Sequence, residues 1–123
     1  MDSPVIYVID DDAQVRTAIG RLLLSLDLPV RLFESAEQFL ADANPEACGC
    51  LILDVRLPGM SGLQLQKHLA AQHWKLPVII VTSHEEEEAK ETALRQGAVG
   101  YLRKPFDRQE FLDCVHAAIA QHR

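Results

Sequence analysis

The sequence predicts a three-layer α/β sandwich, with one parallel sheet of five strands and five helices packed on its two faces. Two observations carry the prediction. Short, β-rich apolar runs alternate with amphipathic stretches of helical period along the whole chain, as a parallel sheet covered on both sides requires. The connections are short and marked by Pro, Gly, Asn and Asp, with no internal repeat, low-complexity tract or linker. At 123 residues the chain fits one domain, residues 1–123, which buries about two thirds of its unfolded surface.

The first strand is Val5-Ile6-Tyr7-Val8-Ile9, and it ends on three acids, Asp10-Asp11-Asp12. Val15, Ile19, Leu22, Leu23 and Leu26 then make one helical stripe, which Asp12 is placed to cap. Residues 29–33 form a second strand. Ser35 and Gln38 open a short helix as an S-x-x-Q capping box, and Asn44-Pro45 stops it. Cys50 to Leu53 is the third strand, followed by Asp54 and the turn Leu57-Pro58-Gly59-Met60. Ser61 and Gln64 cap the third helix, which runs from about Gly62 to Gln72 with Leu65 and Leu69 inward. The fourth strand, residues 77–81, is the most hydrophobic and is expected at the centre of the sheet; Thr82 follows it. Ser83 and Glu86 form a third capping box, and Gly97 ends the helix they open. Val99 to Leu102 make the fifth strand, before Arg103-Lys104-Pro105. Asp107 to Glu110 cap a last helix that turns Phe111, Val115, Ala118 and Ile119 inward. Right-handed crossovers leave few topologies, and the flavodoxin-like order 2-1-3-4-5 is the common one at this length.

Several function classes are excluded or disfavoured by composition. No apolar run reaches the roughly 18 residues of a membrane span, and the acidic N-terminus is no secretory signal. Three cysteines, with Cys48 and Cys50 at neither zinc nor redox-motif spacing, point to reduced thiols and a cytoplasmic protein. A formal net charge of −6 makes this chain alone a poor ligand for nucleic acid.

In that strand order the first and third strands are neighbours, so Asp10, Asp11 and Asp54 meet at one edge. The fourth and fifth strands bring Thr82 and Lys104 to the same edge. Three gathered carboxylates stay ionised only beside a cation, and a donor set made wholly of oxygens favours a hard ion such as Mg²⁺. A divalent cation, a lysine and a threonine hydroxyl around Asp54 are suited to neutralising a transferring phosphoryl group, with Asp54 as the carboxylate nucleophile.

These residues resemble, in order and over nearly the full length, the receiver domain of bacterial two-component response regulators, a CheY-like fold. The Leu57-Pro58-Gly59-Met60-Ser61-Gly62 turn is similar to that family's as well. The resemblance implies that Asp54 accepts a phosphoryl group from a histidine kinase. It implies that Asp11, Asp54 and the backbone carbonyl of Arg56 bind Mg²⁺ directly, with Asp10 acting through water, and that the Lys104–Pro105 peptide is cis. Residues 33–40, Gly97-Ala98-Val99 and Lys104-Pro105-Phe106 further resemble the FixJ-like subgroup, whose members usually carry a C-terminal DNA-binding domain. Phosphorylation is then expected to draw Thr82 and Tyr101 inward and to alter the surface of the fourth helix, fifth strand and fifth helix, through which the family dimerises. The chain stops near the end of its fifth helix, which fits a stand-alone receiver or the N-terminal piece of a longer regulator.

Other readings compete with this one. A flavodoxin needs a hydroxyl- and glycine-rich phosphate loop where this chain has Asp10-Asp11-Asp12. A phosphatase of the haloacid-dehalogenase type needs an acid two residues after its nucleophile, where this chain has Arg56. A phosphorylation-independent interaction module remains the alternative. The reading is therefore a phosphoacceptor that assists transfer to and from its own Asp54, and no enzyme on diffusible substrates. Glu85 to Glu88 read as a solvated helix start stabilised by the helix dipole, or as charges that oppose self-association or choose a partner. Arg56 and His84 flank the site and are candidates for tuning the lifetime of the phosphoryl group. His68, His73, His116 and His122 read as surface residues, Trp74 as a packing residue and Cys50 as core.

Overall fold

All six residues from Gly49 to Asp54 are buried, and the sheet is built outward from them on both sides. The structure is a computed structural model that describes residues 4–83 and 87–121. Its strands are β1 (Val5–Ile9), β2 (Val30–Phe33), β3 (Gly49–Asp54), β4 (Val78–Thr82) and β5 (Gly100–Arg103). The helices are α1 (Ala13–Leu23), α2 (Ala36–Asp42), α3 (Gly62–Ala71), α4 (Glu87–Arg95) and α5 (Arg108–Gln121). The strands run in the order β2-β1-β3-β4-β5, and every neighbouring pair is parallel.

Strand side chains alternate between the two faces, so each strand feeds two cores. Tyr7, Ile9, Leu51, Leu53 and Ile80 pack with Phe33, Phe39, Leu65 and Leu69 on one face. Ile6, Val8, Ile52, Ile79 and Val81 pack with Ile19, Leu23, Phe111 and Val115 on the other. Phe39 anchors the first core: its ring meets those of Tyr7, Phe33 and Trp74 at 5.5–5.6 Å between centroids. Trp74 is thus a packing residue, as its position after α3 suggests, and Cys50 is fully buried in the second core.

The differences from the expected elements are local. β3, and not β4, is the middle strand; β4 is interior and buried throughout, which explains its composition equally well. β3, β4 and β5 each run one residue past their apolar run, so Asp54 and Thr82 are the last paired residues of their strands. Leu26 lies beyond α1, in a 3₁₀ turn over residues 24–26 that ends on left-handed Asp27 (φ 55°), yet still packs against the second core with Val15 and Leu22. Ser35 caps α2, but the Gln38 side chain accepts from the Glu34 N–H and does not close the box on Ser35. The box at Ser83 reaches Glu86, which lies outside the described residues, as do His84, Glu85 and His122.

Candidate functional site

Strand register alone assembles the site. Ile9 pairs with Leu53, so Asp10, the next residue, comes beside Asp54. Asp54 pairs with Val81, and Thr82 is one step beyond. Thr82 pairs in turn with Arg103, and the Lys104 N–H donates to the Thr82 carbonyl at 2.7 Å. Four strands therefore deliver an acid, an acid, a hydroxyl and an amine to one edge of the sheet.

Lys104 ties the acids together. Its Nζ donates to Asp10 Oδ2 at 2.6 Å and to Asp54 Oδ2 at 3.0 Å. The other oxygen of Asp54 accepts the Arg56 N–H at 3.1 Å, and the other oxygen of Asp10 accepts the Asp12 N–H at 3.0 Å. Arg16 donates from Nη1 to the Asp10 backbone carbonyl at 2.6 Å and fixes the β1–α1 turn from its outer side. Asp10 is buried, with both carboxylate oxygens engaged, whereas Asp11 is exposed. Asp12 caps α1, accepting from the Gln14 and Val15 N–H groups.

Each of Asp10, Asp11 and Asp54 offers a carboxylate oxygen, all within 4.8 Å of one another. That all-oxygen set fits a hard divalent cation. Burial, aided by the Asp10 charge, holds the Asp54 carboxyl above the usual range, although Lys104 and the Arg56 N–H pull the other way. Burial alone would lower the Lys104 pKa, but its hydrogen bonds to Asp10 and Asp54 outweigh that and raise it. Lys104 is therefore a fixed cation, and Asp54 is a carboxylate short of positive charge.

An open cleft of about 600 Å³ adjoins the acids, lined by Asp11, Val55, Arg56, Leu57, Pro58 and Ser61. Gly62 follows Ser61 of that lining. A Cβ there would stand 2.1 Å from the Asp54 carbonyl, so only glycine lets α3 begin against the end of β3. Ser61 and Gln64 close a reciprocal capping box at that helix start. The turn between Pro58 and Ser61 is held by Glu37, whose carboxylate accepts the Met60 N–H at 2.8 Å. That bond lowers the Glu37 pKa, and nothing in sequence spacing could have revealed it.

Tyr101 lies on β5, half-buried, with its ring 5.9 Å from Lys90 Nζ of α4. Its hydroxyl is buried and has no hydrogen-bond partner among the described residues. Burial, with the Glu87 charge, raises its pKa. Arg56 is exposed and contributes its N–H to Asp54. Glu87 and Glu88 are exposed in the first turn of α4. His68, His73 and His116 are exposed on the surface. No described helix is long and apolar enough to cross a membrane.

A parallel sheet with this acid cluster and lysine at its C-terminal edge defines a class, and comparison with known proteins agrees. The model of the response regulator receiver domain matches residues 6–116, and the chain belongs to that family. It is a receiver domain of the kind found in two-component response regulators. It is 44% identical over 115 residues to the response regulator protein TodT of Pseudomonas putida, covering 94% of this chain and 51% of TodT. Over 117 residues it is 41% identical to the transcriptional regulatory protein FixJ of Bradyrhizobium diazoefficiens, covering 94% of this chain and 57% of FixJ. The solved structure of the response regulator StyR superposes with a TM-score of 0.92 at 37% identity, covering 98% of this chain and 61% of that one. The chain thus spans about half the length of the curated relatives it matches.

Proposed function

We propose that Asp54 accepts a phosphoryl group from a histidine kinase and that the modified domain switches a protein surface. The observation that carries this is Lys104, held between Asp10 and Asp54 while Asp54 is oriented by the Arg56 N–H. In the transfer an Asp54 oxygen attacks phosphorus, the bond from phosphorus to the kinase imidazole nitrogen breaks, and that nitrogen keeps the electron pair. Lys104 shifts its charge from Asp54 toward the phosphoryl oxygens, and the Thr82 hydroxyl donates to another of them. Asp11, Asp54 and the Arg56 carbonyl would hold Mg²⁺, with Asp10 acting through water, and the ion would supply charge neutralisation for the phosphoryl group. The domain assists transfer to and from its own Asp54 and does not turn over a diffusible substrate.

The switch follows from the same residues. Thr82 moves toward the phosphoryl group, Tyr101 turns inward, and the α4–β5–α5 surface changes to favour a homodimer. FixJ is named as a transcriptional regulatory protein, which supports residues 1–123 acting as the receiver domain of a cytoplasmic regulator whose separate output domain contacts DNA. A receiver acting alone through protein partners is the second reading, favoured by the net charge of −6.

The test is intact mass after incubation with acetyl phosphate, with and without Mg²⁺, beside Asp54→Asn. One added phosphoryl group that requires both Mg²⁺ and Asp54 is expected. A folded protein that gains none under any condition would make this an interaction module.

A further inference from the structure

Four polar side chains are buried among the described residues: Asp10, Asp54, Thr82 and Gln66. Three belong to the site. Gln66 does not; it sits in the middle of α3 and faces α4. Its Nε2 donates to the Ala93 carbonyl at 2.8 Å, and its Oε1 accepts from Gln96 Nε2 at 2.9 Å. The same Gln96 nitrogen donates back to the Leu63 carbonyl at 3.3 Å. Two amides thus stitch the last turn of α4 to α3. The Ala93 carbonyl also accepts the Ala98 N–H at 3.0 Å, so the stitch lands where α4 terminates.

The rest of α4 is held lightly. Outside the last turn its one buried residue is an alanine, Ala89, and Glu87, Glu88, Lys90 and Glu91 are exposed. Small side chains remove little apolar surface from water, so the helix has little hydrophobic adhesion. Toward its other end Lys90 sits over the Tyr101 ring, and Glu87 follows Thr82 by only five residues. One end is near the chemistry and loosely packed, and the other is fastened by directional bonds inside the protein, where such bonds are strongest.

We infer that Gln66 is a positioning residue which, with Gln96, pins the C-terminal turn of α4. A rearrangement begun at Asp54 and Thr82 then swings the N-terminal half of α4 about this pin and leaves its last turn in place. The inference rests on the switch proposed above, and its test separates the two.

The experiment is amide hydrogen exchange, read residue by residue by NMR on the full chain, with and without beryllium fluoride and Mg²⁺ as a phosphoryl stand-in. In wild type, loading is expected to change exchange at Lys90–Thr92 at least fivefold and at Leu94–Ala98 by less than twofold. In Gln66→Leu, and in Gln96→Ala should the first variant fold poorly, Leu94–Ala98 should exchange about tenfold faster, and the response to loading should spread along the helix. If the variant that folds exchanges faster yet responds to loading only in the N-terminal half, the amides are a structural tie and the pin is overturned. A wild-type response equal at both ends overturns the pin but keeps the switch. No response anywhere in α4 overturns both.

Discussion

Lys104 Nζ stands nearer to Asp10 than to Asp54, at 2.6 Å against 3.0 Å. The lysine therefore has an anchor that is not the proposed phosphoacceptor. When a phosphoryl group is bonded to one Asp54 oxygen, Lys104 can turn its charge to the newcomer while Asp10 keeps it at the edge of β5. Asp10 can hold it because its carboxylate is buried and braced by the Asp12 N–H. The first two of the three acids that follow β1 thus differ in kind: Asp10 is built into the protein, and Asp11 faces the solvent.

The raised pKa of Asp54 predicts a pH dependence with a definite sign. Its folded carboxyl holds a proton more tightly than the unfolded one, so stability falls as pH rises from the unfolded value, near 4, through the folded one. Above both, the charge remains a standing cost. Asp54→Asn removes it, and in metal-free buffer the variant should unfold at higher urea than wild type at pH 7. The two curves should converge below about pH 3, where both carboxyls are protonated. Equal midpoints at pH 7 would mean that Lys104 neutralises Asp54 completely.

Gly62→Ala tests the contact between the start of α3 and the end of β3. The new Cβ would meet the Asp54 carbonyl at 2.1 Å, and backbone on both sides prevents easy relief. The expected cost is about 1–3 kcal/mol, as for other overpacked sites. A slower acetyl phosphate reaction should accompany it, because α3 and the end of β3 must separate. Urea denaturation and intact-mass kinetics read the two effects, and an alanine variant as stable and as reactive as wild type would contradict the close approach.

Much of this site was legible from strand ends. In a parallel sheet, residues that follow apolar runs must share an edge, so Asp10, Asp11, Asp54, Thr82 and Lys104 could be grouped with no knowledge of side-chain geometry. The cis peptide at Lys104–Pro105 was expected only from the family resemblance, and the structure has it. What the sequence hid were contacts across long separations. Gln66 adjoins Leu65 and lies three residues before Leu69, a position that signals burial; its partner Gln96 is 30 residues away. Glu37 and Met60 are 23 apart. Strand ends were misjudged by one residue because Asp54 and Thr82 are polar, yet the ladder continues through them.

Tyr101→Phe should stabilise the unphosphorylated domain. The hydroxyl is buried without a hydrogen-bond partner among the described residues, and a desolvated, unpaired hydroxyl is a cost that phenylalanine lacks. The ring and its approach to Lys90 survive the substitution. A gain of about 1 kcal/mol in urea denaturation is expected. A loss of similar size would show that the hydroxyl is hydrogen-bonded in solution.

Neutralising the two neighbouring acids should separate folding from metal binding. Asp10→Asn takes from Lys104 its shorter ion pair inside the protein, though Asp54 still faces the amine, so a loss of about 2 kcal/mol is expected, less than for a fully broken buried pair. Asp11→Asn changes an exposed side chain and should leave metal-free stability within about 0.5 kcal/mol of wild type. Mg²⁺ reverses the ranking. An ion at a hundred times its dissociation constant stabilises the folded state by about 2.7 kcal/mol. Asp11→Asn exchanges the carboxylate proposed to bind the ion directly for a neutral amide, and should forfeit at least about 1.4 kcal/mol of that, a tenfold loss of affinity. Asp10→Asn, at the residue proposed to act through water, should keep most of it. Thermal unfolding of both variants across a Mg²⁺ series gives the answer, and equal loss of the Mg²⁺ response in the two would mean that Asp10 ligates the ion as directly as Asp11.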